Sequence, residues 1–204
     1  MIGIIDYGSG NIQAIRNIYK RLSIDTFVVK SPKDVSLAAK LILPGVGAFD
    51  EAMGKLNQSG LRDALDKAVL NNKIPVMGVC VGMQIMADRS EEGVLDGLGW
   101  ISGSVKRFDV SKIIRSPKLP HMGWNDISAL EHPIFEGIDK FFGFYFLHSY
   151  FFEADSKKNV IANSFYQHEF DCAINHENIY GFQFHPEKSH SNGIRIFKNF
   201  SDIS

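Results

Sequence analysis

The chain has 204 residues, of which 45% are hydrophobic and 22% charged, and its formal net charge is −1. A chain of this length can bury a large core, and this composition is ordinary for a globular protein. The near-zero charge provides no basic surface for nucleic acid or for an anionic membrane, and no apolar run is long enough to span a bilayer. We therefore expect a globular protein that binds neither nucleic acid nor membrane.

The cysteine content and the N-terminus favour a cytoplasmic protein. Two cysteines, Cys80 and Cys172, do not make a disulfide framework, and a core of this size does not need one. Residues 1–6 lack a basic stretch, and their apolar run is too short for a signal peptide. No linker, repeat or low-complexity segment is visible, so we predict one domain over residues 1–204.

Short apolar segments alternate with amphipathic ones in the first half of the chain. Residues Ile12, Ile15, Ile18 and Leu22, for example, share one face at helical spacing. The predicted strands are 2–5, 25–29, 41–43 and 74–79, and the predicted helices are 11–22, 32–39, 49–59, 61–71 and a helix through 83–86. This alternation predicts an α/β fold with a mostly parallel central sheet flanked by helices.

The pattern changes after Trp100, where strand-like segments follow one another closely. They are 104–108, 144–151, 160–166, 172–176 and 179–184, and a closing helix is predicted over 194–200. Strands joined by short connections favour antiparallel pairing, so we expect an antiparallel layer appended to the parallel sheet.

Cys80 lies in the sequence Gly78-Val79-Cys80-Val81-Gly82, directly after a buried-strand pattern. A nucleophile between small residues, leaving a strand and opening a helix, is typical of a nucleophile elbow. The start of the helix lowers the pKa of a thiol and leaves free N–H groups, including that of Val81, near a developing oxyanion. The alternative is a small buried core residue, which the two framing glycines make less attractive.

His185-Pro186-Glu187 follows the last predicted strand, about a hundred residues after the elbow. A histidine at this place could take the thiol proton and pass it to a leaving amine, with Glu187 orienting the imidazole. Together with Cys80 the segment predicts a Cys-His-Glu triad. The alternative is a surface turn.

Pro44-Gly45-Val46-Gly47 ends the third predicted strand. Open α/β sheets bind ligands at the carboxyl ends of their strands, so this turn is expected near the elbow. Its backbone N–H groups could complete an oxyanion hole, although a plain strand-to-helix turn explains the segment equally well.

Other kinds of site are poorly supported by the sequence. Gly8-Ser9-Gly10 imitates the start of a dinucleotide fingerprint, but Gln13 stands where the third glycine belongs. The remaining histidines have no metal-ligand spacing with a cysteine or carboxylate cluster. We predict no metal and no cofactor.

These segments together resemble the class I, or triad, glutamine amidotransferases. The matching segments run in the family's order and are 6–11, 44–49, 78–84, 90–93, 98–103, 120–125, 148–150 and 181–189. The elbow and His185-Pro186-Glu187-Lys188-Ser189 fit the family generally. Tyr7-Gly8-Ser9-Gly10-Asn11 and Pro120-His121-Met122-Gly123-Trp124-Asn125 are typical of one branch, the glutaminase subunits of imidazole glycerol phosphate synthase.

The resemblance implies a flavodoxin-like α/β fold and a role for each matching position. Cys80 attacks the side-chain amide of L-glutamine, His185 shuttles the proton and Glu187 orients His185. The other implied residues are Val46 and Val81 for the oxyanion hole, Gly47, Gln84, Ser149 and Tyr150 for substrate binding, and Asn11 and Lys188 for a partner interface.

The resemblance also implies a heterodimer with a (β/α)₈-barrel cyclase of histidine biosynthesis, which receives the ammonia. One glutaminase domain is expected to occupy the whole chain, which leaves the acceptor reaction to a separate protein. Three alternatives remain open: the same chemistry for surface-sugar amidination, a stand-alone γ-glutamyl hydrolase, and a catalytically silent binding subunit.

Overall fold

The computed structural model describes residues 1–111 and 119–203. Its main sheet has 11 strands, of which nine follow the order β2-β1-β3-β4-β13-β12-β10-β6-β5, while β11 pairs with β12 and β8. A second sheet contains β7 and β9. In the part of the chain described, no helix is long and apolar enough to cross a membrane.

The first half of the chain builds the parallel part of the main sheet with helices between the strands. These elements are β1 (Ile2–Ile5), α1 (Ile12–Arg21), β2 (Thr26–Val29), α2 (Pro32–Val35), β3 (Lys40–Gly45), α3 (Phe49–Gln58), α4 (Arg62–Asp66), β4 (Val76–Cys80) and α5 (Val81–Gln84). Strands β1 to β4 and β13 all pair in parallel. Because β4 is central and buried on both faces, it reads as an uninterrupted run of buried residues.

The second half of the chain adds mostly antiparallel strands, of which β7 and β9 form the small second sheet and the others extend the main sheet. These elements are β5 (Arg89–Ser90), β6 (Gly103–Arg107), β7 (His121–Asn125), β8 (Ile127–Ala129), β9 (Phe144–His148), β10 (Tyr150–Ala154), β11 (Val160–Phe165), β12 (Glu169–His176), β13 (Ile179–Phe182) and α6 (His190–Asp202). Helix α6 returns to pack on α1, where Tyr19 meets Phe197 edge to face with ring centroids 5.3 Å apart. The predicted α/β class, with a mostly parallel sheet and an antiparallel part, is confirmed.

The predicted strand over 144–151 is wrong in one respect, because the chain changes sheets at Ser149. Strand β9 pairs with β7 in the small sheet, whereas β10 pairs with β6 and β12 in the large one. The polar pair His148-Ser149 interrupts the apolar run at this point, and the predicted strand runs through it. Strands β5, β7 and β8 were not predicted, and helix α6 begins four residues before the predicted start.

Candidate active site

Cys80 is the last residue of β4 and the N-cap of α5. Its backbone has φ 53° and ψ −113°, in the left-handed half of the Ramachandran plot that a non-glycine residue seldom adopts. Such strain persists only where the surroundings enforce it, and it is characteristic of functional turns. The predicted elbow is therefore present in the backbone geometry.

Two glycines allow α5 to lie directly against the strands. A Cβ on Gly82 would come within 1.9 Å of the carbonyl oxygen of Leu43, and a Cβ on Gly78 within 2.7 Å of the carbonyl oxygen of Gly82. Real Cβ atoms do not approach carbonyl oxygens this closely. The glycines that frame Cys80 in the sequence are thus required by the close approach of α5 to β3 and β4.

Sheet register brings the predicted triad together. Gly45, at the end of β3, pairs with Cys80, and Phe182 on the other neighbouring strand pairs with Val79. The residues that follow β13 therefore reach the same sheet edge as the thiol. The backbone N–H of His185 donates to the carbonyl of Tyr145 at 2.8 Å, and Ser189 Oγ donates to the carbonyl of His185 at 2.7 Å, which fixes the histidine.

The side chain of His185 is buried and makes hydrogen bonds with both Cys80 and Glu187. His185 Nδ1 lies 2.8 Å from Glu187 Oε1. Burial lowers the pKa of His185, but hydrogen bonds and charge interactions with Cys80 and Glu187 outweigh it and raise the pKa to about 10. Glu187 Oε2 is buried and has no hydrogen-bond partner among the described residues. The contacts with Cys80 and Glu187 therefore favour the charged form of His185.

A cavity of about 260 Å³ opens at Cys80 and His185. Every residue predicted to bind substrate or to form an oxyanion hole lines it: Val46, Gly47, Val81, Gln84, Ser149 and Tyr150. The lining also includes Glu92, whose carboxylate accepts a hydrogen bond from the backbone N–H of Phe49 at 2.8 Å. Sequence reasoning assigned Glu92 no role.

The N–H of Val46 is engaged by a side chain from the first loop. Val46 N donates to Ser9 Oγ at 3.0 Å, and Ser9 Oγ donates to the Val46 carbonyl at 2.9 Å. One N–H cannot donate with good geometry to Ser9 and to a substrate oxyanion at once. The Val81 N–H, in contrast, belongs to the first turn of α5, where backbone donors lack intrahelical acceptors.

A buried polar network next to the thiol was also missed. Gln183 Nε2 lies 3.8 Å from Cys80 Sγ, and Gln84 Nε2 donates to Gln183 Oε1 at 2.9 Å. Two buried histidines, His121 and His148, continue the network at 2.9 Å. A signal existed for Gln183: it is a polar residue within an otherwise apolar segment, two residues before His185.

The two predicted interface residues are both exposed. Asn11 caps α1 by accepting a hydrogen bond from the Ala14 N–H at 3.1 Å. Lys188 lines the cavity and places Nζ 5.5 Å from the centre of the Tyr145 ring. No group of three or more His, Cys, Asp or Glu side chains in residues 1–111 and 119–203 is arranged to hold a metal ion.

The family model for class-I glutamine amidotransferases matches residues 3–203 of the chain. An imidazole glycerol phosphate synthase subunit HisH from Bdellovibrio bacteriovorus is 50% identical over 204 residues, covering 100% of both chains. The protein of the same name from Leptospira interrogans is 46% identical, again over 100% of both. The HisH 1 protein of Campylobacter jejuni is 40% identical over 98% of both.

Solved structures agree in fold. A glutamine amidotransferase crystal structure superposes with a TM-score of 0.75 at 19% identity, covering 99% of both chains. The PurLQS structure from Thermotoga maritima gives a TM-score of 0.72 at 16% identity, covering 98% of this chain and 97% of that one. Because the family model matches residues 3–203 and the HisH relatives are 40–50% identical over almost the whole chain, this chain belongs to the class-I glutamine amidotransferases.

Proposed function

We propose that this protein is the glutaminase subunit of an imidazole glycerol phosphate synthase. It hydrolyses L-glutamine to glutamate and ammonia and passes the ammonia to a cyclase that forms imidazole glycerol phosphate and AICAR in histidine biosynthesis. The observation that carries the chemistry is the arrangement of Cys80, at the N-terminus of α5, and His185, 2.8 Å from Glu187, around one cavity. The full-length identity with relatives named as subunits of this synthase favours the pathway.

In the first half-reaction, the Cys80 thiolate attacks the side-chain amide carbon of glutamine. The carbonyl oxygen becomes an oxyanion, and the Val81 N–H at the start of α5 is placed to stabilise it. His185 gives its proton to the amide nitrogen, the C–N bond breaks and ammonia leaves. Glu187 keeps the imidazole oriented and stabilises its charged form.

In the second half-reaction, neutral His185 removes a proton from water, and the resulting hydroxide attacks the γ-glutamyl thioester at Cys80. A second oxyanion forms at the same place, the C–S bond breaks, and glutamate leaves the regenerated thiolate. Both oxyanions occupy one position, so a single set of N–H donors serves both steps.

The cavity lining suits glutamine. Gln84, Ser149 and Tyr150 offer polar groups on one side and Gly47 allows close approach on the other. The carboxylate of Glu92 suits the α-ammonium group of the substrate. A cavity of about 260 Å³ has room for an amino acid of the size of glutamine.

A docked partner follows from the chemistry of the product. Ammonia released into water at neutral pH is mostly protonated and is then no longer a nucleophile. We propose that the protein acts in the cytoplasm as a heterodimer with a (β/α)₈-barrel cyclase. The cyclase binds the face that carries Asn11 and Lys188, and Lys188 also lines the cavity. Docking there also offers a way to free the Val46 N–H from Ser9 and complete the oxyanion hole.

The test is the rate of glutamine hydrolysis by the chain alone and with the cyclase of the same histidine pathway plus its nucleotide ligand. Strong stimulation that Cys80→Ala abolishes supports the proposal. No stimulation, with Cys80 still labelled by a glutamine-mimicking electrophile, overturns the choice of partner and favours surface-sugar amidination. A full rate without any partner favours a stand-alone γ-glutamyl hydrolase.

Lys188→Ala tests the interface, with Lys158→Ala as its matched control. Lys158 is exposed and lies beyond the far end of β10, away from the strand end at Tyr150 that lines the cavity. We expect the Lys188 change to weaken stimulation by the cyclase and the Lys158 change to leave it unaltered. Equal behaviour of the two variants contradicts the proposed docking face.

A further inference from the structure

A line of buried side chains connects β7 with the sulfur of Cys80. Four of its members are almost inaccessible to solvent: Gln84 is 3% exposed, His121 2%, His148 6% and Gln183 0%. Asn125, at the β7 end, is partly exposed. The line runs Asn125–His121 at 3.2 Å, His121–His148 at 2.9 Å, His148–Tyr150 carbonyl at 2.8 Å, Gln84–Tyr150 carbonyl at 3.0 Å, Gln84–Gln183 at 2.9 Å and Gln183–Cys80 at 3.8 Å.

The backbone carbonyl of Tyr150 determines which group donates and which accepts in each hydrogen bond between Tyr150 and Cys80. A carbonyl only accepts, so the Gln84 atom beside it is the amide nitrogen Nε2. The same nitrogen faces Gln183, which must therefore present its oxygen Oε1 to Gln84. The amino group of Gln183 is then turned toward Cys80 Sγ, and flipping this amide would set two donors against each other.

The histidine side of the network has the same fixed direction. The Tyr150 carbonyl requires a proton on His148 Nδ1. Burial, and after it the interaction with His121, lowers the pKa of His148 to about 3, so the ring is neutral and its Nε2 accepts. His121 Nδ1 then donates to it, and His121 Nε2 accepts from the amide of Asn125. No member can reorient without breaking a buried hydrogen bond.

We infer that Gln183 is a positioning residue for the nucleophile: its amino group donates to the Cys80 thiolate and holds Sγ at the cavity edge. The inference rests on the proposed role of Cys80. A thiol can direct its S–H to the Leu147 carbonyl, 3.9 Å from Sγ, whereas a thiolate can only accept. Donation from Gln183 therefore stabilises the ionised form more than the neutral one. Because the amide does not titrate, it never competes with His185 for the proton.

The structure separates this role from substrate binding, which belongs to Gln84. Gln84 lines the cavity, but Gln183 does not and lies behind the sulfur. Loss of the Gln183 donor should thus act on the reactivity of Cys80 and on kcat, while a residue that only held Gln84 in place would act on the KM for glutamine.

The test uses the full chain with Gln183→Met, which is close in shape but cannot donate, and Gln183→Glu, which places an acceptor beside the sulfur. The readout is the rate of alkylation of Cys80 by iodoacetamide against pH, with peptide mapping to separate Cys80 from Cys172. We expect the midpoint of the pH profile to rise by about one unit in Gln183→Met and further in Gln183→Glu. With the cyclase present, kcat should fall by about tenfold and KM change by less than about threefold.

Gln58→Met, at the exposed end of α3, is the matched control and should leave both readouts unchanged. An unaltered alkylation midpoint in a folded Gln183 variant, or a change confined to KM, overturns the inference. If wild-type Cys80 reacts no faster than an ordinary buried thiol and glutamine is not hydrolysed, the failure lies instead with the proposed function. If Gln183→Met does not fold, the same measurements on Gln183→Glu test the inference.

Discussion

His185 Nδ1 lies 2.8 Å from Glu187 Oε1, and the side chains of both residues are 3% exposed. Only Pro186 separates them in the chain, and its ring stiffens the backbone between them. With Nδ1 bound to the carboxylate, Nε2 is the ring nitrogen left for proton transfer with Cys80. The contact therefore determines which nitrogen of His185 is free and favours the charged form of this proposed catalytic histidine.

Glu187→Gln removes the negative charge while keeping the shape of the side chain. The pKa of His185 should fall from about 10, because an anion that favours the imidazolium is gone. We expect the alkaline limb of the kcat/KM profile to move down by roughly one to two pH units. The pH dependence of partner-stimulated hydrolysis measures this; an unmoved alkaline limb would show that Glu187 does not hold the charge of His185.

The raised pKa of His185 also makes the stability of the protein depend on pH. The folded-state pKa of His185 lies above that of an unfolded histidine, which is about 6.5. Its contribution to the free energy of unfolding is therefore complete below that pH and is lost as the pH rises through about 10. Urea titrations across this range should show a steeper alkaline loss for the wild type than for Glu187→Gln. Parallel curves would contradict the assignment.

Ser9→Ala releases the peptide of Val46. Ser9 Oγ makes two hydrogen bonds to the Val46 backbone: it accepts from the Val46 N–H and donates to the Val46 carbonyl. Without them the N–H can turn toward the cavity, so glutamine hydrolysis by the lone chain should rise by roughly fivefold to tenfold. Ser9→Thr, which retains the hydroxyl, is the control. A basal rate that stays constant or falls in the alanine variant would mean that Ser9 does not restrain the oxyanion hole.

Gly82→Ala tests the packing of the elbow. The new methyl group would lie 1.9 Å from the Leu43 carbonyl oxygen, so α5 must shift away from β3. We expect a loss of about 2–3 kcal/mol in the free energy of unfolding together with most of the activity.

Gly54→Ala is the matched control for that change. Gly54 lies within helix α3, and a Cβ there would meet no atom within 4 Å. Replacing it should raise stability by about 0.5–1 kcal/mol because alanine favours the helix. Chemical denaturation of both variants checks the pair, and similar destabilisation by both would contradict the steric account.

His148→Gln should flatten the acid side of the stability curve. Burial lowers the pKa of His148 to about 3, below that of an unfolded histidine, so protonation favours unfolding. The contribution of neutral His148 to the free energy of unfolding is present above pH ~6.5. It is lost at roughly 1.4 kcal/mol per pH unit as the pH falls toward 3. The exposed His176, changed to Gln, should leave the slope unaltered. An identical acid slope in His148→Gln and wild type would indicate that His148 is not held neutral.

The sequence predicts the site where its signals are local. The glycine-framed elbow and His185-Pro186-Glu187 each lie within a few residues, and the order of parallel strands brings their carboxyl ends together. The orientation of the Val46 peptide could not be predicted, because it depends on a side chain 37 residues earlier. The Gln84–Gln183 contact joins residues 99 positions apart and leaves no periodic trace in the sequence.

The fold was predicted best where burial and periodicity coincide. The parallel strands are short, apolar and separated by amphipathic helices, whereas β7 includes Met122 and Trp124, which are 61% and 50% exposed. This strand alternates with its apolar side chains exposed and the polar His121 buried, which is the reverse of the usual pattern. The break at Ser149 is set by pairing with different neighbours, β7 on one side and β6 and β12 on the other, which is a tertiary effect.

The most direct test of the account is to quench the chain, bound to its cyclase and turning over glutamine, and to map the covalent adduct by peptide mass spectrometry. We expect a γ-glutamyl thioester on Cys80 and on no other residue. Glutamine turnover with no adduct on Cys80, or turnover that persists in Cys80→Ala, would contradict the central claim that this thiol is the nucleophile.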